Sequence, residues 1–318
     1  MHTTMDAHPQ IEVTAHAPSI RRKAWYALAA ACAAVLVAGF WNARLVDGFG
    51  RNLVAGGTIG DPTELSTTFA QNGFVFGFVF AAVAGVAATF TACNCVVFAL
   101  LPGLAVSGPQ SSSRRSALMM LAIFTAGVVL VGAIYGMFIG ALGPQGIEAF
   151  NTREIRRGLA TTLFTAIGAL MLGWGVIELG LLDAWTRRTS ETTRAFFGQA
   201  TTKAGVLGLM VGAFMVGRPF PVMHDFLVYA AAAGSPLYGA GVMIVQGLGQ
   251  IVLMVLLFLA IVYGGGQRLL RWAATQPERM ALISGLSLVA GGAFFVFYWG
   301  LAFAYGIGRW GFRLGWYS

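Results

Sequence analysis

"VGRPFPVMHDF" (216–226) sets an arginine, two prolines, a histidine and an aspartate inside an apolar run, and its reading decides how the chain is folded. The surrounding stretch, 204–232, exceeds the roughly 20 apolar residues that a helix needs to cross a bilayer. Pro219 and Pro221 lack a backbone N–H and their rings clash with the preceding turn, so a helix through this stretch must break. A charged side chain at the centre of a spanning helix costs about 2.5–3.5 kcal/mol on insertion scales, so Arg218 and Asp225 are read as facing a cavity or a partner. A second run, 73–106, holds the other unusual chemistry: "TACNCVVFALLPG" (91–103) places Cys93 and Cys95 one residue apart ahead of Pro102-Gly103. At 1.5 Å per residue that run would reach about 50 Å, against a hydrocarbon core of about 30 Å, so it also reads as broken.

Composition agrees with a membrane environment. Of the 318 residues 57% are hydrophobic and 10% charged, and the mean hydropathy is +0.74, where soluble domains carry about 25% charged residues. The expected fold is all-α and polytopic, with about seven spans at 24–42, 73–106, 117–142, 158–181, 204–232, 237–264 and 280–304. The two interrupted spans stand three apart and so cross in opposite directions. Broken spans at matching places in two halves are the sign of an inverted repeat with a site near the midplane. The three-helix halves are read as 73–181 and 204–304, with an N-terminal helix added.

Outside that core the expected organisation is simple. Residues 1–19 read as a disordered tail, and 20–43 as an uncleaved anchor, because no small-x-small site follows its apolar run. Residues 44–72 read as an outer loop in which Asp61-Pro62 makes a capped, surface-lying turn. Residues 305–318 form an aromatic tail read as a membrane-surface anchor.

Charge sets the expected orientation. With the N-terminus inside, the inner loops carry Arg21, Arg22, Lys23, Arg114, Arg115, Arg187, Arg188, Arg194, Lys203, Arg268, Arg271 and Arg279. The outer segments carry the smaller set Arg44, Arg51, Arg153, Arg156, Arg157, Arg309 and Arg313, which favours a cytoplasmic N-terminus. "NTREIRRGLA" (151–160) is the exception: it puts three arginines outside, for an acidic partner there or because the span count is off by one. Loop charge of this kind accounts for the formal +8, so nucleic acid is not an expected partner. P-loop, GxSxG, HExxH, dinucleotide and haem-attachment signatures are absent, which argues against a self-contained hydrolase, kinase or dehydrogenase, and no cofactor is expected. His2, His8 and His16 lie too far apart to read as a ligand set.

These residues resemble the CcdA family, the transmembrane part of DsbD-type thiol-disulfide reductant carriers. "TACNCVVFALLPGLA" (91–105) is similar to the family's first-helix Ser-Pro-Cys stretch followed by Leu-Leu-Pro-Gly. "GRPFPVMHDFLVYAAAAGSPLYGAGVMIVQGLGQ" (217–250) is similar to its fourth helix, tight turn and glycine-rich fifth helix. The resemblance covers about 73–304 and implies a six-span inverted-repeat core in the bacterial inner membrane. It also implies a cytoplasmic thioredoxin-like donor and a periplasmic client protein as partners. One departure stands out: where the family has Pro-Cys at the start of the second half, this chain has Pro219-Phe220, so the usual pairing of one cysteine from each half is not available.

Three readings stay open. Cys93 and Cys95 form a redox pair by themselves, strained in regular helix because neighbours two apart diverge, but allowed where the chain is broken. Alternatively they join Met223 and His224 as a soft-metal site at the repeat interface, in a soft-metal or small-solute transporter, since thiolates favour ions such as Cu(I). In the third, they are two small buried residues and the protein is an assembly factor or structural subunit; with its CcdA-like core and altered cysteines it resembles the methylamine utilization protein F-like members of the CcdA group, tied to maturation of periplasmic methylamine dehydrogenase. The catalytic candidates are thus Cys93 and Cys95, and the candidates for binding a substrate or partner are Arg218, Pro219, Phe220, Pro221, His224 and Asp225. Arg218 and Asp225, seven apart, are placed to neutralise each other. Gln246 and Gln250 share a helix face for hydrogen bonds across helices, Gly247 and Gly249 mark close helix approach, and Glu178 reaches water at the inner end.

Overall fold

The computed structural model describes residues 19–91, 94, 114–182, 199–218, 220–265 and 276–316. Among these no β-strand occurs, and the chain is a set of helices: α1 (Ile20–Gly39), α2 (Phe69–Thr89), α3 (Arg114–Phe150), α4 (Arg153–Glu178), α5 (Ala200–Ala213), α6 (Pro221–Ala232), α7 (Pro236–Ala260) and α8 (Pro277–Phe295). The last two run on into wider helical turns, Ile261–Gly265 and Val296–Phe303. Six helices among the described residues are long and apolar enough to cross a membrane: α1, α2, α3, α4, α7 with its extension and α8 with its extension. The remaining expected span, 204–232, is divided into α5 with 14 residues and α6 with 12. The chain is a multi-pass, all-α membrane protein. Leu130, Ile134, Leu170, Leu253 and Leu256 stay exposed on its outer face, as lipid contact requires.

Helix neighbours repeat when the halves are exchanged. α2 packs on α7, and in the same manner α5 packs on α3; α3 faces α7, and α4 faces α8. Lipid tails are as apolar as the side chains, so no hydrophobic force draws such helices together and close packing has to do it. Small residues carry that packing. A Cβ on Gly85 of α2 would lie 2.9 Å from the Cα of Gly249 on α7, and one on Gly127 of α3 would lie 2.9 Å from the carbonyl carbon of Gly208 on α5. Between α3 and α7, a Cβ on Gly136 would come within 2.7 Å of Gly239, and between α4 and α8 one on Gly292 would meet Leu172 N at 2.7 Å. The expected close approach at Gly249 is there, while Gly247 faces Met215 and Val128 at 3.3 Å. α1 lies against α8, where Trp41 meets Phe294 edge-on with 5.3 Å between ring centroids.

Backbone groups freed by bends are taken up by side chains. Gly73 adopts φ 69°, a left-handed conformation that favours glycine. Its carbonyl accepts a hydrogen bond from the Tyr229 hydroxyl at 2.8 Å, and the next carbonyl, Phe74, accepts one from Tyr238 at 3.1 Å. An aromatic cluster of Phe69, Phe74, Phe80, Phe226, Tyr229 and Tyr238 surrounds these bonds.

The segment between α1 and α2 differs from its expected form. Asp61 does cap the short helix Pro62–Leu65, accepting from Thr63 N at 2.9 Å. However, Ala43–Ile59 is helical, in part with wide turns, and Gly50 and Ala55 are buried, as are Pro62 and Ser66. Gly48, Gly50, Ala55, Gly56 and Gly57 leave this helix with little side-chain bulk, so it settles against the bundle rather than lying loose on the surface.

Candidate functional site

Two broken helices meet at one polar centre. α2 ends at Thr89, and α5 ends at Ala213 before the turn that leads through Arg218 to α6. A helix C-terminus leaves carbonyls without intrahelical donors and carries partial negative charge, so two such ends near one point call for donors and a cation. Thr91 supplies a first bond, its hydroxyl donating to Ala88 O at 2.8 Å. Asn94 Nδ2 donates to Ala88 O at 3.1 Å and to Gln250 O at 3.2 Å, and the Thr89 hydroxyl donates to Gln250 O at 3.0 Å.

The cation comes from the second break. Arg218 is buried, and its Nη1 donates to Gln250 Oε1 at 3.3 Å and to Ala88 O at 3.5 Å, while its Nη2 reaches Asn94 Oδ1 at 3.5 Å. Gln250 on α7 thereby ties the two breaks together, because its Nε2 also donates to Val211 O near the end of α5, at 3.4 Å. Gln246, one turn away, is fully buried, with neither its Oε1 nor its Nε2 hydrogen-bonded.

The expected site residues separate along the chain. Cys93, Cys95 and Pro219 lie outside the described residues; Asn94, the residue between the two cysteines, is described and sits at the centre. Phe220 is buried and starts the turn into α6, and Pro221 takes the first helical position, where a missing N–H costs nothing. Met223 is packed in the apolar core at 1% exposure. His224 and Asp225 face the other way, toward the segment between α1 and α2. Asp225 Oδ1 lies 3.1 Å from His224 Nδ1, and its Oδ2 accepts from the Thr63 hydroxyl at 3.2 Å. Thr63 in turn accepts from Arg51 Nη2 at 3.3 Å, so a half-buried guanidinium is linked through an exposed threonine to a buried carboxylate. Among the described residues no three of His, Cys, Asp and Glu come together as a metal-ligand group.

Asn94, Thr89, Asp47, Arg51 and Thr63 were not singled out by the sequence. Asp47 lies in Ala43–Gly48 within electrostatic reach of Arg218; burial pushes its carboxyl up to about 6, and Arg218 counters part of that rise. An asparagine flanked by two cysteines was the one signal for Asn94 at hand. Elsewhere, Glu178 pairs with Lys203 Nζ at 2.8 Å, both part-buried. Arg157 is engaged within the chain, donating to the carbonyls of Phe303 and Ala304 at 2.9 Å each. In the aromatic tail Trp310 packs on Gly39 and Phe297, while Phe312, Leu314 and Trp316 remain exposed.

Fold and site together define a polytopic helical membrane protein with two broken helices facing each other across a polar centre. The chain belongs to the family of the cytochrome c biogenesis protein transmembrane domain, whose model matches residues 74–290. That range includes both breaks and leaves α1 and the segment 43–65 outside. The chain is 24% identical over 215 residues to a thiol:disulfide interchange protein DsbD of Escherichia coli O157:H7, covering 68% of this chain and 37% of that protein. It is 25% identical over 217 residues to the proteins of the same name from Escherichia coli K12 and Shigella flexneri serotype 5b, again covering 68% of this chain and 37% of each relative. The match therefore spans little more than a third of the length of these relatives. No solved structure matches the chain.

Proposed function

We propose that this protein supports the maturation of periplasmic proteins by carrying thiol-disulfide electrons across the inner membrane through Cys93 and Cys95, with its N-terminus in the cytoplasm. The observation that carries the reading is the place of Asn94: the residue joining the two cysteines is bonded to the end of α2, to α7 and to Arg218 where the two breaks meet. By the resemblance to the family, Phe220 takes the place of its second cysteine, which is why Cys93 and Cys95 are the pair proposed. In the exchange, one thiolate attacks a disulfide of the client and forms a mixed disulfide, and the other displaces the client. The client leaves with two thiols and the carrier with a Cys93–Cys95 disulfide. A thioredoxin-like dithiol from the cytoplasm then reduces that disulfide and is itself oxidised.

Phe220 also favours a second reading, in which the protein is a cysteine-independent assembly factor for a disulfide-rich periplasmic enzyme of the methylamine dehydrogenase type. A buried phenylalanine at that place suits packing rather than exchange. Differential alkylation of native membranes separates the two. A Cys93–Cys95 disulfide that accumulates when thioredoxin reductase is removed supports the carrier. Thiols that stay free in both conditions, with client maturation intact in Cys93→Ser, Cys95→Ser, overturn it in favour of assembly. Metal retained by the parent and lost from that variant would point to the soft-metal reading.

A further inference from the structure

The segment 43–65, outside the family match, packs directly over the meeting point of the breaks. A Cβ on Gly50 would collide with the Ala87 carbonyl and lie 3.4 Å from the Phe220 ring, so helix, break and turn are in contact there. The rings of Phe49 and Phe90 meet with centroids 4.8 Å apart. Asp47 sits one turn before Gly50, within electrostatic reach of Arg218. At its far end the segment is held by the Arg51–Thr63–Asp225 bonds. Its other face exposes Leu45 and Leu53, so the segment has one inward and one outward side.

We propose that residues 43–65 are a cover, built from this chain's own N-terminal extension, that closes the centre from the side of the membrane on which the Ser235 turn lies and must lift before a partner reaches it. The inference deepens the carrier reading and rests on it for its purpose. It also follows from the placement of contacts: the polar bonds that hold the cover run through the exposed Thr63 and the half-buried Arg51 at its edge, whereas Arg218, Asn94 and Phe220 beneath are buried. Gly50 is the hinge of the fit, because any side chain there must displace the helix from a backbone carbonyl that cannot move aside.

Access is the test. In a chain carrying Cys32→Ser, Cys93→Ser and Cys95→Ser, Phe220→Cys is the sole thiol, and its labelling by a membrane-impermeant maleimide is followed from each side of sealed vesicles. The expected result is slow labelling, at least tenfold slower than Leu45→Cys in the same background. Gly50→Leu is expected to speed it tenfold or more, from the Ser235 side only. Arg51→Ala with Thr63→Val releases the edge without a steric conflict and is expected to act in the same direction, which guards against misfolding of the first variant. Rapid labelling of the unmodified cover, or rates that neither variant changes, would overturn the proposal. No native cysteine takes part, so such a failure leaves the carrier reading standing, and unresponsive Cys93 and Cys95 in native membranes would leave the cover standing.

Discussion

The Arg218 guanidinium and the Gln250 side chain lie 3.3 Å apart, and through this contact the turn between α5 and α6 is fastened to α7. Gln250 takes up Arg218 with its oxygen and Val211 with its nitrogen, while its backbone carbonyl holds Thr89 and Asn94. One residue thus joins the two breaks, its backbone carbonyl at the first and its side chain at the second, so a side-chain substitution acts on the second.

Gln250→Leu keeps the volume and removes the acceptor of a buried cation. The expected cost is about 3 kcal/mol, the range for taking one partner from a buried charge. Gln250→Glu restores an acceptor and is expected to recover much of it. Thermal unfolding in detergent distinguishes the two, and equal midpoints for parent and Gln250→Leu would refute the contact's importance.

The glycine crossings give a contrast within one residue type. Gly249→Val forces a side chain against the α2 backbone at Ala82 and Gly85, and overpacking of this kind costs about 1–3 kcal/mol. Gly57→Ala, with nothing within 4 Å of its Cβ position, is expected to be neutral or to gain about 0.5–1 kcal/mol as a helical position. Comparing both unfolding midpoints in the same detergent shows whether contact, and not glycine loss as such, sets the effect.

How much of this was legible in the sequence follows from what each signal encodes. Pro219 and Pro221 announce a break because proline removes a donor wherever it stands, and the apolar runs announce spans because the bilayer fixes their length. Neither records which carbonyls the breaks expose or which side chain reaches them. Arg218 and Asp225 looked like a pair on one helical face, yet Asp225 engages Thr63 and His224, partners that depend on where the segment 43–65 lies. Asn94 was hidden between two more conspicuous cysteines, and Asp47 lay in a stretch read as an outer loop. Glycine marks close approach as readily as it marks a turn, and one sequence does not tell the two apart.

Asp47 makes stability depend on pH in a stated direction. Its folded-state value of about 6 exceeds the ordinary 3.8, so between those values the folded chain holds a proton that the unfolded chain has lost. That contribution is full below about pH 4 and is lost as the pH rises through about 6. Asp47→Asn removes the dependence: relative to the parent it should gain stability between pH 4 and pH 7. A parent-minus-variant difference that stays flat across this window would show that Asp47 is not held in that setting.

Tyr229→Phe deletes the donor to the Gly73 carbonyl and leaves that carbonyl beside aromatic rings. The expected loss is about 1 kcal/mol. Gly73→Ala places a side chain at φ 69° and is expected to be comparably unfavourable despite open space around it. Hydrogen exchange at the start of α2 should quicken in both, and unaltered protection there would count against the bond.

Thr63 and Asp225 are 162 residues apart in the chain. During synthesis Thr63 leaves the ribosome first, and at 5–20 residues per second Asp225 follows roughly 10–30 s later. Residues 43–65 therefore exist before either surface they rest on, and until those surfaces are made Asp47 and Gly50 are unengaged. That contact is closed late by one of the earliest parts made, so whatever keeps the short helix from pairing elsewhere while translation proceeds bears on assembly.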